Sequence, residues 1–244
     1  MGNVALITGA SRGIGRAVAV RLAQMGYAIA VCYHTTSDKA QELVAELREN
    51  GHTATAFCCD VANSAHVEMM AQAVREELGE VSVLVNNAGY AQQKLFTEIS
   101  SDEWERMIGV HLTGTFNTCH TFLPSMIRRH EGVIVNISSM WGQIGGSCEV
   151  HYSAVKAGVI GLTKALAKEV GPSGIRVNCV APGVIMTDMM KDFDEETLQS
   201  LADATPLMRL GAPRDIANAV AFLVSDEAAF ITGQVISPNG GMVI

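Results

Sequence analysis

NVALITGASRGIGRAVAVRLAQM, residues 3–25, decides how this chain folds. Asn3–Thr8 is an apolar run of strand length, and Gly13 to Met25 reads as a helix. Between them Gly9, Gly13 and Gly15 stand at G-x-x-x-G-x-G spacing. Glycines at such a turn allow a tight bend and close approach of backbone to a ligand. The helix that follows offers unpaired N–H groups at its start. A doubly wound fold uses that place to bind a pyrophosphate.

Working outward, the same alternation continues along the chain. Ala28–Tyr33, Thr53–Cys58, Ser82–Val85, Gly132–Ile137, Arg176–Val180 and Val235–Ser237 read as strands. Lys39–Glu49, Ser64–Leu78, Asp102–Arg129, Tyr152–Val170 and Asp215–Leu223 read as helices. Regular β/α alternation predicts a parallel sheet with helices on both faces. The fold class is therefore α/β, a Rossmann-like doubly wound domain over residues 1–244. One stretch breaks the rhythm: Thr187–Leu210 is long, acidic and rich in Met. An excursion of this length is expected to be a lid over a site, the plainer reading being a pair of surface helices.

The bulk properties exclude several classes. The chain has 244 residues, 48% hydrophobic and 17% charged, which suits a buried core rather than disorder. A net charge of −8 argues against nonspecific nucleic-acid binding. No apolar run approaches the roughly 20 residues that span a bilayer. MGNVAL carries neither a basic signal-peptide start nor the Ser or Thr that myristoylation needs, so a cytoplasmic location is expected. The six cysteines form no C-x-x-C pair and read as reduced, mostly buried thiols. Cys148 is the exception, expected to line a pocket. No metal site is expected.

The chemistry centres on Ser139, Tyr152 and Lys156. A Tyr and a Lys four apart share a helix face, so the ammonium can reach the phenol. A phenol of pKa about 10 is a weak acid at neutral pH, and a nearby cation lowers that value. Ser139 can hydrogen-bond a substrate oxygen. These are the parts for exchanging a proton with a carbonyl or carbinol oxygen. The end of the second strand bears on the cofactor. NAD folds usually place an acid there, but Tyr33-His34-Thr35-Thr36 has none before Asp38. Arg12 in the glycine loop can pair with a 2′-phosphate, so NADPH is the expected cofactor.

Together these pieces resemble the short-chain dehydrogenase/reductase family, over essentially the whole chain. TGASRGIG (Thr8–Gly15) matches its cofactor loop, including Ser11 and Ile14. Asp60-Val61 matches the adenine-contacting pair. NNAG, with Asn87, Ala88 and Gly89 after Asn86, matches the motif that steadies the central sheet beside the cofactor. PGVIMT, with Pro182, Gly183, Ile185 and Thr187, matches the segment around the nicotinamide. The resemblance implies that Tyr152 gives a proton to a ketone oxygen and that Ser139 orients the carbonyl. It also implies that Lys156 lowers the Tyr152 pKa and holds the nicotinamide ribose. His34, Thr35 and Val110 are further expected cofactor contacts.

VHLTGTF (Val110–Phe116) departs from the family, which usually has Asn where this chain has His111. His111 is expected either to shuttle protons or to fill the helix there. The C-terminal part most resembles 3-oxoacyl-(acyl-carrier-protein) reductases. Their carrier-docking arginines are replaced by His130 and Ser173, although Arg128 and Arg129 are adjacent. SSMWGQIGGSCEV with His111 also resembles elongation factor P 5-aminopentanone reductases, in which Trp141 and Glu149 would lie at the pocket mouth. The resemblance implies a ketone displayed on acyl carrier protein or elongation factor P. It also implies a homotetramer built through the helices at 102–129 and 152–170. A reductase of free ketones or hydroxysteroids and a non-catalytic NADPH sensor remain as alternatives.

Overall fold

Seven parallel strands form one sheet, in the order β3-β2-β1-β4-β5-β6-β7. They are β1 (Val4–Thr8), β2 (Ala28–Tyr33), β3 (Ala54–Cys58), β4 (Val81–Asn86), β5 (Gly132–Ile137), β6 (Ile175–Val180) and β7 (Val235–Ile236). The computed structural model describes residues 3–191 and 193–244. Alternate strand residues point to opposite faces, and both faces are apolar. Ala5, Ile7, Ile29, Val31, Val83 and Val85 pack on one side against helices α1 (Gly13–Gln24) and α2 (Ser37–Glu49). Leu6, Leu84, Ile134 and Val177 pack on the other, against α3 (Ser64–Glu77). Such two-sided burial is why these strands read as continuous apolar runs.

The helical stretch expected over 102–129 is interrupted. Helix α4 (Ser101–Ile108) passes into a π-turn at Gly109–Thr113 and then into α5 (Gly114–Arg129). Gly114 sits where a Cβ would come within 2.7 Å of Val61 Cγ2, so this junction presses close to the end of β3. A short helix α6 (Trp141–Ile144) precedes the long α7 (Val150–Val170). The excursion at 187–210 contains a 3₁₀ turn at Asp188–Met190 and helix α8 (Glu195–Asp203). Helix α9 (Pro213–Val224) returns to the face that holds α1.

Strand order reverses between β1 and β4, which leaves a crevice at the carboxyl ends of those strands. A buried polar network ties the crevice floor together. Asn86 donates to Asn136 Oδ1 at 2.9 Å and Asn136 donates to Thr163 Oγ1 at 2.9 Å, linking β4, β5 and α7. Thr118 of α5 donates to Asn86 Oδ1 at 2.6 Å. The amides reinforce the register that the backbone ladder sets, and tie α5 and α7 to the strand ends.

Candidate active site

The β1–α1 loop is held from behind. Asn87 Nδ2 donates to Thr8 O at 2.9 Å and Gly9 O at 3.1 Å, while Thr8 Oγ1 accepts from both Asn87 N and Ala88 N at 2.9 Å. Gly9 and Gly13 adopt φ of 64° and 56°, where a side chain would be strained. Gly15 serves packing instead, since a Cβ there would come 2.4 Å from Gly9 O. The loop fits a dinucleotide phosphate on this geometry: bare backbone over the start of α1, with its carbonyls already bonded behind.

Two adjoining cavities run along the crevice, sharing Ile14, Asn87, Gly89 and Thr187 in their walls. One, of about 490 Å³, is lined by Gly9, Ser11, Arg12, Gly13, His34, Thr35, Asp60, Val61, Ala88 and Val110. All of these were expected cofactor contacts. Sequence reasoning missed Thr36, which also lines it and whose hydroxyl lies 2.6 Å from that of Ser11. It also missed Asp188, which faces Arg12 at 3.8 Å and Lys39 at 3.3 Å. Lys39 is thus a second cation beside the place expected for the 2′-phosphate. Hydrogen bonds from Lys191 and then Lys39 hold the Asp188 carboxyl below its usual range.

The second cavity, of about 590 Å³, is lined by Ser139, Tyr152, Lys156, His111, Trp141 and Glu149, and by Pro182, Gly183 and Ile185. Met190, Phe193 and Leu201 also line it, so the 187–210 excursion walls the cavity rather than packing elsewhere. Cys148 does not line it, contrary to expectation. It takes φ of 60°, its carbonyl accepts from Lys94 N, and its Sγ lies 3.9 Å from the exposed Ser147 hydroxyl.

Tyr152 and Lys156 share one face of α7, and the ammonium lies 5.5 Å from the phenol ring centroid. Lys156 Nζ donates to Ile137 O at 2.8 Å, and Ser138 Oγ donates to Lys156 O at 2.8 Å. Neither anchor was visible in the sequence. Burial lowers Lys156 to about 8. Burial raises Tyr152 to about 12, opposed by a hydrogen bond from Ser139 and assisted by the Glu149 carboxylate. The drop expected from Lys156 does not show here, because an amine held at about 8 has lost its charge before a phenol held at about 12 ionises. Ser139 Oγ also accepts from Trp141 N at 3.2 Å, which orients the hydroxyl at the cavity wall.

His111 sits in the π-turn, 2% exposed, with its ring edge-on to Tyr152 at 5.5 Å between centroids. Its Nε2 lies 2.9 Å from Tyr90 O and 3.1 Å from Tyr90 N. Its Nδ1 is buried without a hydrogen-bond partner. A proton on Nε2 satisfies Tyr90 O and leaves Nδ1 as an unmet lone pair, at the expense of the Tyr90 N–H contact to Nε2; the other tautomer would bury an unmet N–H at Nδ1. Burial first, then the Lys156 charge, holds this imidazole well below 6.5. A neutral ring fixed to a backbone carbonyl is built as a strut between the π-turn and the Gly89–Tyr90 loop.

Comparison with known proteins places this arrangement. A family model described as enoyl-(acyl carrier protein) reductase matches residues 9–243. A 3-oxoacyl-(acyl-carrier-protein) reductase of Staphylococcus epidermidis is 44% identical over 242 residues, covering 99% of both chains. One of Vibrio cholerae is 42% identical over 241 residues, covering 99% of this chain and 97% of that protein. One of Synechocystis sp. is 40% identical over 243 residues, with the same coverage. With a Rossmann-like sheet, a glycine loop at its switch point and likeness along its whole length, the chain belongs to the short-chain dehydrogenase/reductase family of oxidoreductases.

Proposed function

We propose that this protein reduces a ketone to a secondary alcohol with NADPH, in the manner of a 3-oxoacyl-(acyl-carrier-protein) reductase. The observation that carries this reading is the convergence of Ser139, Tyr152 and Lys156 on one cavity that adjoins the glycine-loop cavity. Gly9, Ser11 and Gly13 would hold the diphosphate, Arg12 and Lys39 the 2′-phosphate, and Asp60 and Val61 the adenine end. When bound, NADPH supplies a hydride for the carbonyl carbon. Ser139 orients the carbonyl oxygen, and Tyr152 Oη gives that oxygen a proton. Lys156, anchored on Ile137 O, places its positive charge beside the phenol and favours the phenolate left behind. Met190, Phe193 and Leu201 keep water from the reacting carbon.

A second reading is favoured by Trp141 and Glu149, which both line the substrate cavity. It is the reduction of a 5-aminopentanone group carried on a lysine of elongation factor P. The chemistry is the same and only the carrier differs. In either case the protein is proposed to work in the cytoplasm, as a homotetramer packed through α4–α5 and α7.

NADPH consumption with an acetoacetyl thioester tests the reading. Turnover with NADPH well ahead of NADH is expected, and NADPH binding with no turnover of any ketone would overturn it. Tyr152→Phe removes the proton and keeps the ring. Its rate is expected to fall about 10²–10⁴-fold, the usual worth of general acid catalysis, with NADPH binding retained.

A further inference from the structure

The corner expected to take the 2′-phosphate already holds an acid. Asp188 lines the glycine-loop cavity together with Arg12, Thr35 and Thr36. Its Oδ2 lies 3.8 Å from Arg12 Nη1 and 3.3 Å from Lys39 Nζ, and its Oδ1 lies 2.7 Å from Lys191 Nζ. Among the described residues, neither Arg12 nor Lys39 has another acidic partner. These two cations come from different elements, the β1–α1 loop and the first turn of α2, and this carboxylate joins them. Thr36, the residue before α2, makes no capping hydrogen bond and spends its hydroxyl on Ser11, so the start of α2 adds its positive pole to the same corner. With its carboxyl held below the usual range by Lys191 and Lys39, Asp188 is charged at neutral pH.

Three cations around one carboxylate leave two positive charges over, which balances a phosphate monoester dianion. A 2′-phosphate therefore suits the corner, but it needs the same N–H donors of Arg12 and Lys39 that Asp188 engages. Two anions within a few Å of each other repel, so they cannot share those donors on equal terms. Lys191 is the nearest cation to Asp188 and stands three residues along the chain, so it can keep the carboxylate when the other two are taken. We propose that Asp188 sets cofactor specificity as an internal rival of the 2′-phosphate. In the free protein it occupies Arg12 and Lys39; NADPH displaces it onto Lys191, and it returns as the oxidised cofactor leaves. NADH carries a hydroxyl at this place and leaves Asp188 where it is. This rests on reading NADPH as the cofactor, and it makes the preference for NADPH smaller than Arg12 and Lys39 would give unopposed. Asp188 acts on binding and release, not on the transfer of hydride or proton.

The test is calorimetric binding of NADPH and of NADH to the wild-type protein, Asp188→Asn and Asp188→Glu, with no ketone present. In Asp188→Asn the Kd for NADPH is expected to fall about 5- to 10-fold in about 20 mM salt, and the Kd for NADH to change by less than about 2-fold. Asp188→Glu keeps the charge and is expected to stay within about 2-fold of wild type for both. The four side chains are 31–66% exposed, so the gain in Asp188→Asn should vanish in about 1 M salt, where the Debye length is about 3 Å. NADPH binding unchanged or weakened in Asp188→Asn would overturn the rivalry and leave NADPH standing as the cofactor. An equal gain for NADPH and NADH would overturn it too, since Asp188 would then repel the shared diphosphate. A wild-type protein that binds NADH as tightly as NADPH, with a preference for NADPH emerging in Asp188→Asn, would support the rivalry and sink only the reading of NADPH as the working cofactor.

Discussion

Gly89 carries no side chain because the His111 ring occupies the place where one would stand. A Cβ at Gly89 would lie 2.3 Å from His111 Cε1 and 2.8 Å from Nδ1. The ring cannot retreat cheaply, since its Nε2 holds Tyr90 O and its other side faces Tyr152. Gly89→Ala should therefore destabilise the protein by about 1–3 kcal/mol, the usual cost of forcing extra volume into a packed site. Adding His111→Ala to that variant should return part of the loss, and a urea-unfolding double-mutant cycle would measure the coupling. Losses that simply add would mean that the two residues do not press on each other. The glycine of NNAG was legible in the sequence as part of a motif. Its reason was not, because the partner lies 22 positions away and reaches it only through the fold.

At the scale of elements, the strand-turn-helix alternation was readable because it rests on periodicity, and β1, β2, α1 and β5 sit within a residue or two of where the pattern puts them. The π-turn at Gly109–Thr113 was not readable. One extra residue in a helix barely disturbs an apolar pattern, so 102–129 reads as a single helix although it is two joined by a wider turn. The Ile137 carbonyl that anchors Lys156 was hidden for a similar reason: backbone acceptors carry no residue signature. His111 in the π-turn is expected to make the protein sensitive to acid. His111 is held well below its free value of about 6.5 by burial, so the unfolded chain takes a proton that the folded one refuses. Its contribution to stability is present above pH about 6.5 and is lost as pH falls toward the folded value, by up to about 1.4 kcal/mol per pH unit. His111→Gln should flatten this part of the stability–pH curve below about 6.5, leaving the smaller slope of His151, which burial also lowers. An unchanged slope would mean that His111 is charged in the folded protein.

For the whole molecule, the question is how a carrier protein would meet an acidic surface. The chain carries a net charge of −8. Arg129, one of the two arginines near the expected docking position, is turned inward, with its guanidinium donating to Val81 O and Ser125 O. His130 closes α5 with φ of 53°, and a Cβ on Gly174 would come 3.0 Å from its carbonyl, so the His130 and Ser173 segments do meet. They meet at the amino-terminal ends of β5 and β6, the edge of the sheet away from the cavity, with Arg128 as the exposed cation beside them. A basic landing patch draws an acidic partner most strongly at low salt, and screening weakens that pull over a Debye length of about 10 Å at 0.1 M. Here the long-range term has the opposite sign, because net negative charge meets an acidic carrier. Raising salt from about 50 to about 200 mM should therefore lower KM for a ketone on acyl carrier protein or leave it flat, while KM for an uncharged thioester stays constant. A steep rise of KM with salt for the carrier-borne ketone alone would instead reveal a concentrated cationic docking surface that outweighs the net charge.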